Sequence, residues 1–145
     1  CDEFDRNFLE FSPYLSLITS IGYDHSDTYP TRDDYFEAFG QFVNQSAHAI
    51  GWQRDFAWLP KLPSEKLWQL QDDEALDLRL AGEHNRRNGT LVLKALEYLN
   101  LPHSAEMLDS FPGTNRRFEK LANNLYSDYG HHPTEIAATL QLARE

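Results

Sequence analysis

Tyr126-Ser127-Asp128-Tyr129-Gly130-His131-His132-Pro133-Thr134-Glu135-Ile136 concentrates more chemistry than any other stretch of this chain. Gly130 frees the backbone to turn after a short strand that ends at Asp128. Pro133 and Thr134 suit the first turn of a helix running through Glu135 to Arg144. A strand, a corner and a helix in succession are the unit of α/β proteins, and polar groups at such corners stand where open sheets bind ligands. The carboxylate of Asp128 and the adjacent imidazoles of His131 and His132 are candidates for such a site.

The rest of the chain supports an α/β fold with a mostly parallel, three-layer arrangement. Leu15-Ser16-Leu17-Ile18-Thr19-Ser20-Ile21 is a short apolar run closed by Gly22, which predicts a buried central strand. Thr31 is placed to cap a helix over 31–45, with Asp33 and Asp34 in its first turn and a stripe of Tyr35, Phe36, Phe39, Phe42 and Val43. A second helix is expected over 83–99, with Leu91, Leu93, Ala95, Leu96 and Leu99 available for burial. Between them, His48–Trp52 and Phe56–Leu59 read as two short strands or a hairpin, Trp68 as part of a brief helix, and Ala75–Leu80 as an exposed-edge strand. Phe4, Phe8 and Phe11 recur at the spacing of one helical face, a short helix is expected to end at Leu108, and 120–125 reads as a connection.

With 145 residues, 41% of them hydrophobic, the chain can bury a core of ordinary domain size. Its net charge of −10 excludes a general attraction to nucleic acid or to anionic membranes, so any phosphate site has to be local. Cys1 is the only cysteine, which excludes an internal disulfide framework and is compatible with a reducing cytoplasm. No apolar run approaches the roughly 20 residues that span a bilayer. The chain opens inside a polar motif, Cys1-Asp2-Glu3-Phe4-Asp5, and is expected to be a fragment.

Four groups of side chains carry possible chemistry. Asp24 and His25 follow the first strand and could meet a metal or a phosphate, or simply close a hydrogen-bonded turn. Asn85 and Asn88, one helical turn apart, both donate and accept as the edge of an adenine does, and they equally suit a helix start. Arg116 and Arg117 stand out in an acidic chain, because guanidinium groups bind phosphate oxygens in a fork and also pair with surface acids. The three tryptophans at 52, 58 and 68 read as packing in preference to a sugar platform.

Several phrases resemble those of the Mur ligases. They are Asp128-Tyr129-Gly130-His131-His132-Pro133-Thr134-Glu135, the run Phe111-x-Gly113-x-x-Arg116-Arg117-Phe118, the run Gly82-x-His84-Asn85-x-x-Asn88, and the acidic opening with its later Asp24-His25. Ala81 stands where proline is common before the glycine, and no lysine occurs in 31–45, where several members carry a carbamylated one.

The resemblance implies 1–124 as the C-terminal part of the central ATP-binding domain and 125–145 as the hinge and first helix of the next. It implies an ATP- and magnesium-dependent cytoplasmic ligase of peptidoglycan synthesis that joins L-alanine to UDP-N-acetylmuramate through an acyl phosphate. Asn85, Asn88 and Asp128 would then bind the nucleotide at adenine and ribose, and Arg116, Arg117 and His131 would serve the phosphoryl transfer. His25 would hold the metal, while the family's metal-binding glutamate would precede Cys1. No Gly-Lys-Ser or Gly-Lys-Thr phosphate loop occurs here, so this chain alone is expected to be inactive. A branch that recycles a preformed tripeptide and a non-catalytic interaction module are the alternatives. A histidine-based metal hydrolase lacks ligand spacing such as His-Glu-x-x-His.

Overall fold

The structure is a computed structural model that describes residues 3–60, 62–109, 111, 113–114 and 116–144, so Cys1 lies outside the described residues. The chain forms two compact units, 1–75 and 76–145, each with its own packing.

In the first unit, strands β1 (Leu15–Ile18), β2 (His48–Trp52) and β3 (Leu67–Leu70) form a wholly parallel sheet in the order β1-β2-β3. Leu17 pairs with Ile50, and Ile50 with Trp68. Helix α1 (Arg32–Gln45) connects β1 to β2. It starts where the sequence requires: Thr31 Oγ1 accepts from the Asp34 N–H at 3.1 Å, and the Asp34 carboxylate accepts from the Thr31 N–H at 3.0 Å. Tyr35, Ala38, Phe42 and Val43 form the buried stripe of α1 and share one core with Ile18 and Ala49. A short helix, α2 (Gln53–Phe56), leaves the end of β2.

Several expectations for this unit need correction. β2 is the middle strand of the described sheet, buried at four consecutive positions from Ala49 to Trp52, whereas β1 lies at its edge. β1 stops at Ile18 because the Ile21 N–H turns to the buried carboxylate of Asp55 at 3.0 Å instead of continuing the ladder. Phe56–Leu59 is a helical end and turn with no hairpin, since the chain folds back to seat Phe56 on Gly51. Trp68 lies in β3, drawn into strand by pairing with β2. Of Phe4, Phe8 and Phe11 only Phe8 is buried, in a turn of 3-10 helix over Asn7–Glu10, so the three share no packed face.

In the second unit, helix α3 (Glu83–Tyr98) follows Gly82, whose φ of +82° suits glycine. Ala75–Leu80 forms no strand. Its alternation has another cause: Leu78 and Leu80 close on Gly89, where a Cβ would stand 2.7 and 2.8 Å from their methyl groups. The Leu76 N–H bonds to Thr90 Oγ1 at 3.0 Å instead of a neighbouring strand. A 3-10 turn at Ala105–Leu108 matches the short helix expected there. The stretch expected as a connection is an antiparallel hairpin of β4 (Glu119–Ala122) and β5 (Leu125–Ser127), turned through Asn124 at φ +58°. β5 ends one residue before Asp128, and α4 (Pro133–Leu142) begins with Pro133 in its first turn, as the opening stretch predicts. No helix among the described residues is long and apolar enough to cross a membrane.

Candidate functional site

The corner between β5 and α4 gathers the most polar chemistry of the second unit. Asp128, freed from the ladder at the end of β5, accepts the Phe118 N–H on Oδ2 and the Gly130 N–H on Oδ1, both at 2.7 Å. Burial alone would raise its pKa. The Gly130 and Phe118 amides, the Thr139 hydroxyl and the charge of Arg117 outweigh burial and hold the carboxyl below its ordinary value. Tyr129 donates its N–H to the Arg116 carbonyl at 2.8 Å, and the Arg116 guanidinium lies 4.7 Å from the centre of the Tyr129 ring.

Glu135, in the first turn of α4, is the second centre. Its Oε1 accepts from Arg117 at 3.3 Å and its Oε2 from the His131 N–H at 3.2 Å, and the His131 ring nitrogen stands 3.8 Å from that same Oε2. Here too burial raises the pKa, and the His131 and His132 amides and Arg117 reverse the effect and lower it. Sequence reading chose Arg116, Arg117, Asp128 and His131, and the structure brings them to this one corner. It missed Glu135, Glu119 and Tyr129, which orient them. The available signal was the acid three residues after His132, the position from which a side chain reaches back to a helix start.

Asn85 and Asn88 both lie in the first turns of α3, Asn85 half-buried and Asn88 exposed. The Asn85 amide donates to the Ala81 carbonyl at 2.8 Å, which leaves its oxygen to accept. One engaged and one open amide fit the donor and acceptor edge of an adenine. Leu142 of α4 packs beside Gly82 at the start of α3.

In the first unit, His25 adopts φ +57°, and its N–H donates to its neighbour Asp24 Oδ1 at 2.7 Å. Its ring stands 3.5 Å from Glu3 Oε1 and edge-on to Phe4. Burial, and then the charges of Glu3, Tyr29 and Asp24, push the nearby Tyr35 hydroxyl upward. One imidazole beside one carboxylate does not make a magnesium site, which takes about six oxygen ligands in octahedral geometry. Among the described residues no group of three metal-binding side chains converges.

No protein-family model matches the chain. In sequence it nevertheless matches a portion of the Mur ligases, and its fold is shared with a solved structure. It is 31% identical over 178 aligned positions to the UDP-N-acetylmuramate–L-alanine ligase of Streptococcus suis, covering 99% of this chain and 40% of that protein. The enzyme of the same name from Christiangramia forsetii is 34% identical, with 99% and 38% covered. The crystal structure of UDP-N-acetylmuramate–alanine ligase from Thermotoga maritima shares the fold at a TM-score of 0.75 and 24% identity, over 99% of this chain and 41% of the other. The chain thus spans about two-fifths of the length of the curated relatives it matches. The alignments run over more positions than its 145 residues, so the relatives carry segments without a counterpart here.

Proposed function

We propose that this chain is part of an ATP-dependent cytoplasmic ligase of peptidoglycan synthesis that joins L-alanine to UDP-N-acetylmuramate. On this reading 1–124 belongs to the central domain and 125–145 opens the next. The substrate carboxylate attacks the γ-phosphorus of ATP and ADP leaves; the alanine amine then attacks the acyl phosphate carbonyl and phosphate leaves. Asn88 and the oxygen of Asn85 would read adenine, Asp128 would lie beside the ribose, and Arg116, Arg117 and His131 would face the transferring phosphoryl group. His25 is the candidate for a single magnesium ligand, and the described residues around it do not complete a site.

The observation that supports this reading best is the gathering of Arg117, His131 and Asp128 with Arg116 at one corner, where cationic groups are already oriented by Glu135 and Tyr129. Such orientation lowers the ordering cost of a phosphoryl site. The test is phosphate release by the full-length protein from ATP. Release that needs both UDP-N-acetylmuramate and L-alanine supports the proposal. Release with a preformed tripeptide in place of alanine assigns the recycling branch, and no release with either amine leaves an interaction module.

A further inference from the structure

We infer that Asp128 is a positioning residue for the Arg116–Arg117 pair, and that holding this loop, more than touching the ribose, is its contribution to the reaction. The inference rests on the proposed ligase function and reassigns one residue within it.

Three sets of contacts converge on the loop. Arg116 and Phe118 have φ of +61° and +50°, the left-handed region that residues with a Cβ rarely adopt unless their surroundings impose it. Arg117 sits between these two turns, so the direction of its side chain depends on both. The imposing contacts come largely from one place. Asp128 Oδ2 accepts the Phe118 N–H at 2.7 Å, the neighbouring Tyr129 N–H donates to the Arg116 carbonyl at 2.8 Å, and Glu119 accepts the Arg116 N–H at 2.8 Å.

The other oxygen of Asp128 takes the Gly130 N–H, also at 2.7 Å, so one carboxylate ties the arginine loop to the corner before α4. Bonds from amides to an ionised acceptor are short and strong. The two guanidinium groups then find partners on that same corner, Arg116 over the Tyr129 ring and Arg117 on Glu135. Loss of the tie would leave both arginines present but not aimed, and a misplacement of about 1 Å can cost on the order of a hundredfold in rate.

The test is Asp128→Asn in the full-length protein, where the amide keeps the shape but replaces one acceptor oxygen with a donor. The expected result is a fall in kcat of roughly 10- to 100-fold, a KM for ATP changed by less than about 3-fold, and an unchanged preference for ATP over 2′-deoxy-ATP and 3′-deoxy-ATP. A raised KM together with loss of that preference identifies a ribose acceptor and overturns the inference. Glu119→Ala, which frees the Arg116 N–H without touching any ribose acceptor, should lower kcat in the same manner; an unchanged kcat counts against the proposal. A readout independent of activity is amide hydrogen exchange in the full-length protein: the Phe118 and Gly130 amides should exchange faster in Asp128→Asn, and equal protection overturns the tie. If the wild-type protein makes no ligation product at all, the ligase reading fails while the amide measurement still decides the role of Asp128.

Discussion

The ring of Phe56 stands 2.9 Å from the place where a Cβ on Gly51 would be, with Ile18 only slightly further away at 3.1 Å. The middle strand is thus pressed by the first residues that follow it, and glycine at 51 is a packing requirement. Phe56 is buried, so its ring is not free to swing aside.

Gly51→Ala should therefore destabilise the first unit by about 1–3 kcal/mol, the usual range for overpacking a core. Gly22→Ala is the control, since a Cβ there meets nothing within 4 Å and should change stability by less than about 0.5 kcal/mol. Denaturant midpoints compare the two, and equal midpoints would show that the Phe56 ring adapts.

Thr31→Ala removes one half of a reciprocal cap and leaves the Asp34 N–H to water. A loss of about 1 kcal/mol is expected, with Thr31→Ser close to wild type. If alanine and serine give the same midpoint, the cap contributes nothing to stability.

Asp128 and Glu135 both have their acidity strengthened by the folded corner. A carboxyl whose folded pKa is depressed stabilises the fold above its unfolded value and loses that contribution as pH falls through the folded value. The corner should hold at neutral pH and loosen from about pH 4.5 downward, the ordinary values being 4.5 for Glu135 and 3.8 for Asp128. Following the Phe118 and Gly130 amide resonances through an acid titration checks this, and resonances that stay fixed to pH 2 would contradict it.

In the full-length protein, Asn85→Ala and Asn88→Ala should each weaken ATP binding by roughly 1–3 kcal/mol per lost buried partner. Asn85→Ala has a second effect, because its amide also ties the helix start to the Ala81 carbonyl. Calorimetric titration with ATP distinguishes them: Asn88→Ala should lower affinity without altering the melting temperature, and unchanged affinity in the double variant removes the adenine assignment.

The 145-residue chain alone should bind magnesium-ATP at best in the roughly millimolar range and form no ligation product, because isolated adenine and arginine contacts lose much of their interaction to ordering cost. Micromolar binding by calorimetry would mean that the described residues form a complete nucleotide site.

The legible parts of this fold were those with local causes. Thr31 with Asp34 announced α1 and Pro133 announced α4, because caps and turns act through the nearest few residues. The illegible parts had distant causes. Trp68 is a strand residue only because β2 lies beside it, and the end of β1 is set by Asp55, 34 residues beyond Ile21. Ala75–Leu80 alternates like a strand because Leu78 and Leu80 reach one bare glycine of α3, a pattern that period alone cannot separate from a sheet edge. At the candidate site, charge and motif singled out the arginines and Asp128. They could not show that each oxygen of Asp128 already accepts a backbone amide of the folded chain.

The path between β3 and α3 is held at successive fixed points. Glu74 reaches back to the Gln71 N–H at 2.7 Å, and Thr90 receives the Leu76 N–H while donating to the Arg86 carbonyl. Ala75 closes the turn that follows β3, its N–H donating to the Asp72 carbonyl at 3.4 Å, so the anchors of the two units fall on the adjacent residues Ala75 and Leu76. An extra residue placed between Ala75 and Leu76 should be absorbed without shifting either anchor, whereas one placed between Leu78 and Gly82 would carry Leu80 off the bare patch at Gly89. This makes the junction of Ala75 and Leu76 the natural seam for cutting, lengthening or permuting the chain.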